Sequence, residues 1–206
     1  MSDNRLVVLV NGLPAAGKST LAPRLARTLG LPLFSKDVIK ETHADVLGAT
    51  APDGRTQRQW NAALGRAASE TLWALLAHAT SGAVLESSWR SDVRTLVKSG
   101  LADAGAEGHV EVWCDVSPEL AWTRYVARST TSHPVHGALM SRGEEWARMV
   151  EHGEPLALGP VRRVDTSRDV DVDQLAAWCR TTASSTSGIG AVLSAEENVR
   201  TQGPGG

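Results

Sequence analysis

The sequence predicts an α/β fold in three layers, with five parallel strands in one sheet and helices on both faces. Three observations lead there. Short apolar runs rich in branched residues alternate with longer stretches whose apolar residues recur at helical spacing. The strand-like runs are nearly continuous rather than alternating, which suits strands covered on both faces. Repeated strand–helix alternation then favours a single sheet with right-handed crossovers. The chain has 206 residues, and a chain of this size buries roughly 70% of its unfolded surface, enough for one core.

Arg5 to Asn11 is the first strand-like run, and a glycine-rich loop follows at once. Leu21, Leu25 and Leu29 then recur every four residues, with Gly30 as a helix stop and Pro32 against continuation. Leu31 to Phe34 is a second short run, after which Ser35 can cap a helix reaching Leu47. Ala49 to Arg55, with Pro52 and Gly54, is a loop, and Trp60, Leu64, Ala68, Thr71 and Leu75 keep a helical period toward Gly82. Ala83 to Glu86 is the third strand, Val93 to Leu101 a helix, and Val110 to Cys114 the fourth strand. Ser117, Pro118 and Glu119 form a strong helix start, by capping, by a proline in the first turn and by a carboxylate at the positive dipole end. That helix is expected to reach Arg128.

A polar stretch with Pro134 and a helical stretch around Leu139 to Val150 read as a small lid, about 129–150. Val161 to Val164 is the fifth strand, and Val172, Leu175, Ala176 and Cys179 mark the last helix. Residues 1–182 are therefore expected to form one domain. From 183 to 206 serine, threonine and glycine dominate, a composition that buries too little surface to offset its ordering entropy.

Composition narrows the function classes. With 42% hydrophobic and 21% charged residues the chain reads as a globular protein. No apolar run approaches the roughly 20 residues a membrane span needs. Met1 to Asn11 lacks the pattern of a signal peptide, so a cytoplasmic location is expected. A net charge of -2 gives no general field for nucleic acid or an anionic membrane, so an anionic ligand has to be held locally. Cys114 and Cys179 are far apart and read as buried free thiols rather than a disulfide or zinc pair. Most of the 7 tryptophans are expected in the core, although such side chains also line pockets.

Gly12-Leu-Pro-Ala-Ala-Gly17-Lys18-Ser19 matches GxxxxGK[ST] without a gap, between a hydrophobic strand and an amphipathic helix, where the mechanism requires it. Gly12, Ala15, Ala16 and Gly17 let backbone N–H groups curl around phosphate, and the helix dipole favours the anion. Lys18 is placed to reach the β- and γ-phosphates, Ser19 to offer its hydroxyl to Mg²⁺, and Thr20 to turn toward the α-phosphate. ATP and Mg²⁺ are thus the expected ligands. No NKxD-type guanine reader appears, which disfavours a signalling GTPase.

From Val10 to Thr20 and from Leu33 to Asp37, with an arginine-bearing helix in the last third, the chain resembles the P-loop small-molecule kinases of the adenylate-kinase-like group. That group includes chloramphenicol phosphotransferases, zeta-toxin kinases and gluconate kinases, and its members are often labelled AAA family ATPases. The resemblance covers Arg5 to Arg180. It implies that Asp37, just after the second strand, takes or orients the proton of an acceptor hydroxyl; the alternative is a capping aspartate. It also implies that Glu86 holds Mg²⁺ through water or contacts the acceptor, in place of the usual Asp, against a merely solvated glutamate. Trp89 and Arg90 are acceptor contacts or, equally, a packing indole and a surface arginine. Arg124 and Arg128 share a helix face leading into the lid, with Arg142 beyond it, and would neutralise the transferring phosphoryl or, as the alternative, are ordinary surface arginines. His133 and His136 lack a third ligand and do not read as a zinc site.

The implied activity is an ATP- and Mg²⁺-dependent transfer to a hydroxyl of a small molecule. Two rivals stay open: a polynucleotide 5′-kinase, with Lys40 as the basic residue after Asp37, and an ATP-binding regulatory or interaction module.

Overall fold

The computed structural model describes residues 5–106, 108–128, 131–136 and 143–184. Arg142, most of the expected lid tip and residues 185–206 of the expected tail lie outside them. The chain runs β1 (Leu6–Gly12), α1 (Lys18–Leu29), β2 (Leu33–Ser35), α2 (Lys36–Leu47), α3 (Gln57–His78), β3 (Gly82–Glu86), α4 (Arg94–Asp103), β4 (His109–Asp115), α5 (Pro118–Arg128), α6 (Glu144–Glu151) and β5 (Val161–Asp165). A last helix, α7, spans 172–184. The five strands order as β2-β3-β1-β4-β5, and every pairing is parallel. Among the described residues no helix is long and apolar enough to cross a membrane.

Alternation along β1 divides the core. Val8 and Val10 join Leu21 and Leu25 of α1, Ala121 of α5, Trp146 of α6 and Leu175 of α7 on one face. Val7 and Leu9 meet Leu72 and Leu76 of α3 and Val97 and Leu101 of α4 on the other. All four β1 side chains are fully buried, so the near-continuous apolar strand follows from two covered faces.

Local signals place most boundaries. Leu120 N–H donates to the Ser117 hydroxyl at 3.2 Å, the cap that the sequence announces for α5. Thr56 and Gln59 form a reciprocal capping box at the start of α3, a signal the sequence carries and the periodicity reading passed over. The helix expected from Val93 starts instead as a 3-10 turn, Ser91–Val93, and becomes α-helical at Arg94. In the stretch expected to be helical from Leu139, the described helix is Glu144–Glu151, and residues 139–142 are outside the described set.

Cys114 and Cys179 are free and buried. Burial pushes each thiol up to about 12. We therefore expect neither to react with iodoacetamide at pH 8 until the protein is unfolded, because the thiolate is the nucleophile and is scarce in the fold. Labelling of the native protein, counted by mass spectrometry, checks this.

The indoles of Trp73 and Trp89 stack with centroids 6.3 Å apart. Gly100 makes room for them: a Cβ there would lie 2.4 Å from Trp73 Cε2. Gly100→Ala is expected to destabilise by about 1–3 kcal/mol, since overpacking of a full core outweighs the better helix propensity of alanine. Chemical denaturation measures it.

Candidate active site

The loop between β1 and α1 is shaped by its small residues. Gly12 (φ 150), Ala15 (φ 60) and Gly17 (φ 92) all take positive φ. A Cβ on Gly12 would stand 2.8 Å from the carbonyl oxygen of Cys114, so only glycine lets the strand end pass β4. The N–H groups of Ala15, Gly17, Lys18 and Ser19 have no backbone acceptor among the described residues, leaving a nest of donors at the N-terminus of α1.

Lys18 is only 5% exposed. Its Nζ donates to the carbonyl oxygens of Gly12 at 3.1 Å and Leu13 at 2.8 Å, so the side chain folds back along the loop. Burial holds its pKa below the ordinary lysine value, opposed by the carboxylates of Glu86 and Asp37. A phosphate in the nest would favour the charged ammonium.

Glu86, at the end of β3, is 2% exposed, which rules out a solvated surface glutamate. One carboxylate oxygen accepts from the Ser19 hydroxyl at 3.1 Å and the other from the Ser35 hydroxyl at 2.5 Å. Parallel pairing puts Ser35 level with Glu86. Ser35 occupies the N-cap of α2 but makes no side-chain cap hydrogen bond; this corrects the expectation that its hydroxyl caps the helix, because the buried carboxylate is the stronger acceptor. A Ser19 hydroxyl that gives its proton to Glu86 keeps lone pairs for a hard cation, so the donor set fits Mg²⁺.

Asp37 lies in the first turn of α2 and is exposed. It makes no hydrogen bond among the described residues, and its charge reaches Lys18 and Lys36. Its side chain is therefore not spent on capping. Arg90 pairs with Asp92 through two bonds of 2.9 and 2.8 Å. Trp89 is placed in the core, 6% exposed, so of the residues named for an acceptor its indole is the one the fold uses for packing.

A cleft of about 410 Å³ opens beside the loop, lined by Gly17, Thr20, Leu21 and Arg24 on one side, by Arg124 and Arg128 on α5, and by Thr166, Arg168, Asp169 and Val170 after β5. Arg124 donates to the carbonyl oxygen of Thr166 at 3.3 Å, and Thr166 donates its hydroxyl to the carbonyl of Ala16 at 2.6 Å. Arg128 is close enough for its charge to depress Lys18. Two arginines of α5 thus stand over the loop, one of them tied to it through Thr166.

Several supporting residues were invisible from spacing. Asn11, fully buried, donates to Trp89 O at 3.0 Å and Glu111 Oε1 at 2.9 Å, and accepts from the N–H groups of Gly12 and Trp89. Glu111, 1% exposed, also accepts from the N–H groups of Leu156 and Ala157. These buried groups fix the start of the phosphate loop to the segments after β3 and α6. His133 and His136 bind carboxylates of α2, Asp45 at 3.0 Å and Glu41 at 2.8 Å. Val135 between them is buried against Ala44 and Leu64, so this piece of chain is clipped to α2.

Fold and loop together define a P-loop nucleotide-binding protein of the kinase-like α/β type. The sequence model of a family described as an AAA domain matches residues 7–151, and the chain belongs to that family. No curated protein matches it significantly in sequence. Among solved structures it is similar to a "putative kinase" from Chloroflexus aurantiacus j-10-fl, at 27% identity and TM-score 0.71, over 87% of this chain and 98% of the other. It also shares its fold with shikimate kinase from Acinetobacter baumannii (14% identity, TM-score 0.53, 85% and 90% covered). Chaetomium thermophilum Kti12, solved with ADP-AlF3, is a third match (15%, TM-score 0.55, 82% and 94%).

Proposed function

We propose that the protein is a phosphotransferase that moves the γ-phosphate of ATP, with Mg²⁺, to a hydroxyl of a small molecule. The observation that carries this reading is Asp37, an exposed carboxylate without a hydrogen-bonded partner, held near Lys18 at the edge of the sheet. A carboxylate so placed is free to accept a hydrogen bond from the hydroxyl that receives the phosphoryl group. The likeness to the Chloroflexus protein supports the same class.

In this reading the N–H groups of Ala15, Gly17, Lys18 and Ser19 and the Lys18 ammonium cradle the phosphates, with Gly12 and Ala16 shaping the loop and Thr20 beside the α-phosphate. Mg²⁺, when bound with ATP, would supply positive charge against the phosphates. Ser19 would hold it, oriented by Glu86. Arg124 and Arg128 draw developing negative charge from the phosphoryl oxygens and help exclude water. Asp37 accepts a hydrogen bond from the acceptor hydroxyl, places its oxygen in line with phosphorus and receives its proton as the P–O bond to ADP breaks. The catalytic unit of this reading is the domain expected over residues 1–182, whose last helix continues to 184.

The test is transfer of labelled γ-phosphate, with Mg²⁺, to a panel of sugars, hydroxy acids, nucleosides, antibiotics and oligonucleotides. Transfer to one class of small molecule, lost in Asp37→Asn, is the expected result. Salt-sensitive transfer to oligonucleotide 5′ ends would instead assign a polynucleotide kinase. Tight ATP binding with no transfer to any acceptor would overturn the reading in favour of a nucleotide-dependent interaction module.

A further inference from the structure

The first two turns of α2 carry two lysines that are not exposed, Lys36 and Lys40, each followed by a carboxylate, Asp37 and Glu41. Lys36 and Lys40 lie one helical turn apart on either side of Asp37, and Arg90 follows β3, next to the strand that leads into α2. The Ser35–Glu86 hydrogen bond fixes the start of α2 to the end of β3. Lys36 is neither exposed nor paired: among the described residues it has no hydrogen bond or ion pair. Lys40 reaches only the carbonyl oxygen of Val135, at 3.4 Å.

The carboxylates that would ordinarily neutralise these lysines are engaged elsewhere. Glu41 takes His136, Asp45 takes His133, Asp92 takes Arg90, and Glu86 is held by Ser19 and Ser35. Lys36 is then opposed by the charge of Asp37 alone, and Lys40 by those of Asp37 and of Glu41, whose carboxylate is hydrogen-bonded to His136. Burial pushes both lysines below their ordinary pKa, and for Lys36 the charges of Lys40 and Arg90 push in the same direction while Asp37 opposes. Buried charge is ordinarily paired, and a half-buried unpaired ammonium beside a reacting group is a place where a ligand supplies the missing anion.

We propose that Lys36 and Lys40 form a subsite for a carboxylate or phosphate group on the acceptor, so that the substrate is an anionic hydroxyl compound rather than a neutral sugar or alcohol. This rests on the kinase reading above and narrows its substrate class. The subsite lies outside the carboxyl ends of β2 and β3, the crevice where ligands of open α/β sheets collect. An anion held there sets the acceptor hydroxyl against Asp37 and compensates the lysines at the same time.

The test has a binding arm and a kinetic arm. In the first, the native protein with Mg²⁺ and a non-hydrolysable ATP analogue is acetylated by an activated ester, and Lys36 and Lys40 are followed by mass spectrometry. Matched pairs of additives are compared: gluconate with sorbitol, and glycerol 3-phosphate with glycerol. Slower acetylation of both lysines with the anions, and no change with the neutral partners, is expected; which anion protects identifies the charged group. Equal protection, or none, overturns the proposal.

In the kinetic arm Lys36→Gln is expected to raise KM for the charged acceptor about tenfold to a hundredfold, the size of a lost hydrogen bond to a charged group, with KM for ATP little moved. An effect on KM for ATP alone would assign Lys36 to the γ-phosphate and overturn the acceptor subsite. If anions protect the lysines but no acceptor is phosphorylated, the anion subsite stands and the kinase reading fails. If neutral acceptors are phosphorylated as well as their anionic partners, the kinase reading stands and the subsite fails.

Discussion

Lys18→Ala is expected to lower turnover by about a thousandfold or more, the scale on which a preorganised charge on a transferring phosphoryl group acts, and to leave the fold intact. The two parts of the result have different causes. Among the described residues Nζ of Lys18 donates hydrogen bonds only to the carbonyl oxygens of Gly12 and Leu13, and its burial disfavours its own charge. Removing it therefore costs two hydrogen bonds but relieves the desolvation of an ammonium, and the thermal midpoint is expected to move by no more than about 5 °C. Loss of the charge opposite the β- and γ-phosphates has no such compensation. Single-turnover transfer and calorimetric unfolding of the same preparation separate the effects. A variant that keeps turnover overturns the placement of the phosphates, whereas one that fails to fold shows that Lys18 pins the loop.

The phosphate loop was legible because its chemistry is local. Small residues, lysine and serine at fixed spacing determine backbone geometry within eight positions, and the flanking strand and helix carry their own periodicities. The same holds for the strand count and for the start of α5, where Ser117 and Pro118 act on the turn that follows them. The supports of the site were not legible, because they join distant positions. Ser35 reads as a cap until the β2–β3 register sets it against Glu86, 51 positions on. Asn11 meets Glu111 across 100 positions and Thr166 meets Ala16 across 150. Nothing in the residue types announces those pairs. Lys36 was overlooked for a related reason: a lysine in a first helical turn looks solvated until its neighbours prove to be engaged elsewhere. At Trp89 the sequence leaves an acceptor contact and a packing indole equally open, and stacking on Trp73 favours the second.

Asp37→Asn is the second large effect expected, a fall in transfer rate of about a hundredfold to ten-thousandfold, the range of general acid–base contributions. The lower end is favoured, because a loose transition state leaves the acceptor proton on its oxygen until late. Asparagine has the same size and can still bond the acceptor hydroxyl, so affinity for acceptor and ATP is expected to change little, and the loss falls on kcat. The competing role gives a different signature. An aspartate that serves only the positive end of α2 contributes about 0.3–1 kcal/mol to stability and nothing to the chemical step. Asparagine would then lower the unfolding free energy slightly and leave the rate where it was. That role is not a hydrogen-bonded cap, since Asp37 is exposed and makes no hydrogen bond among the described residues, so the rate measurement separates a charge at the helix start from a base. Its charge is instead felt by Lys18 on one side and by Lys36 on the other, between the position of the donor phosphate and that of the proposed anionic acceptor.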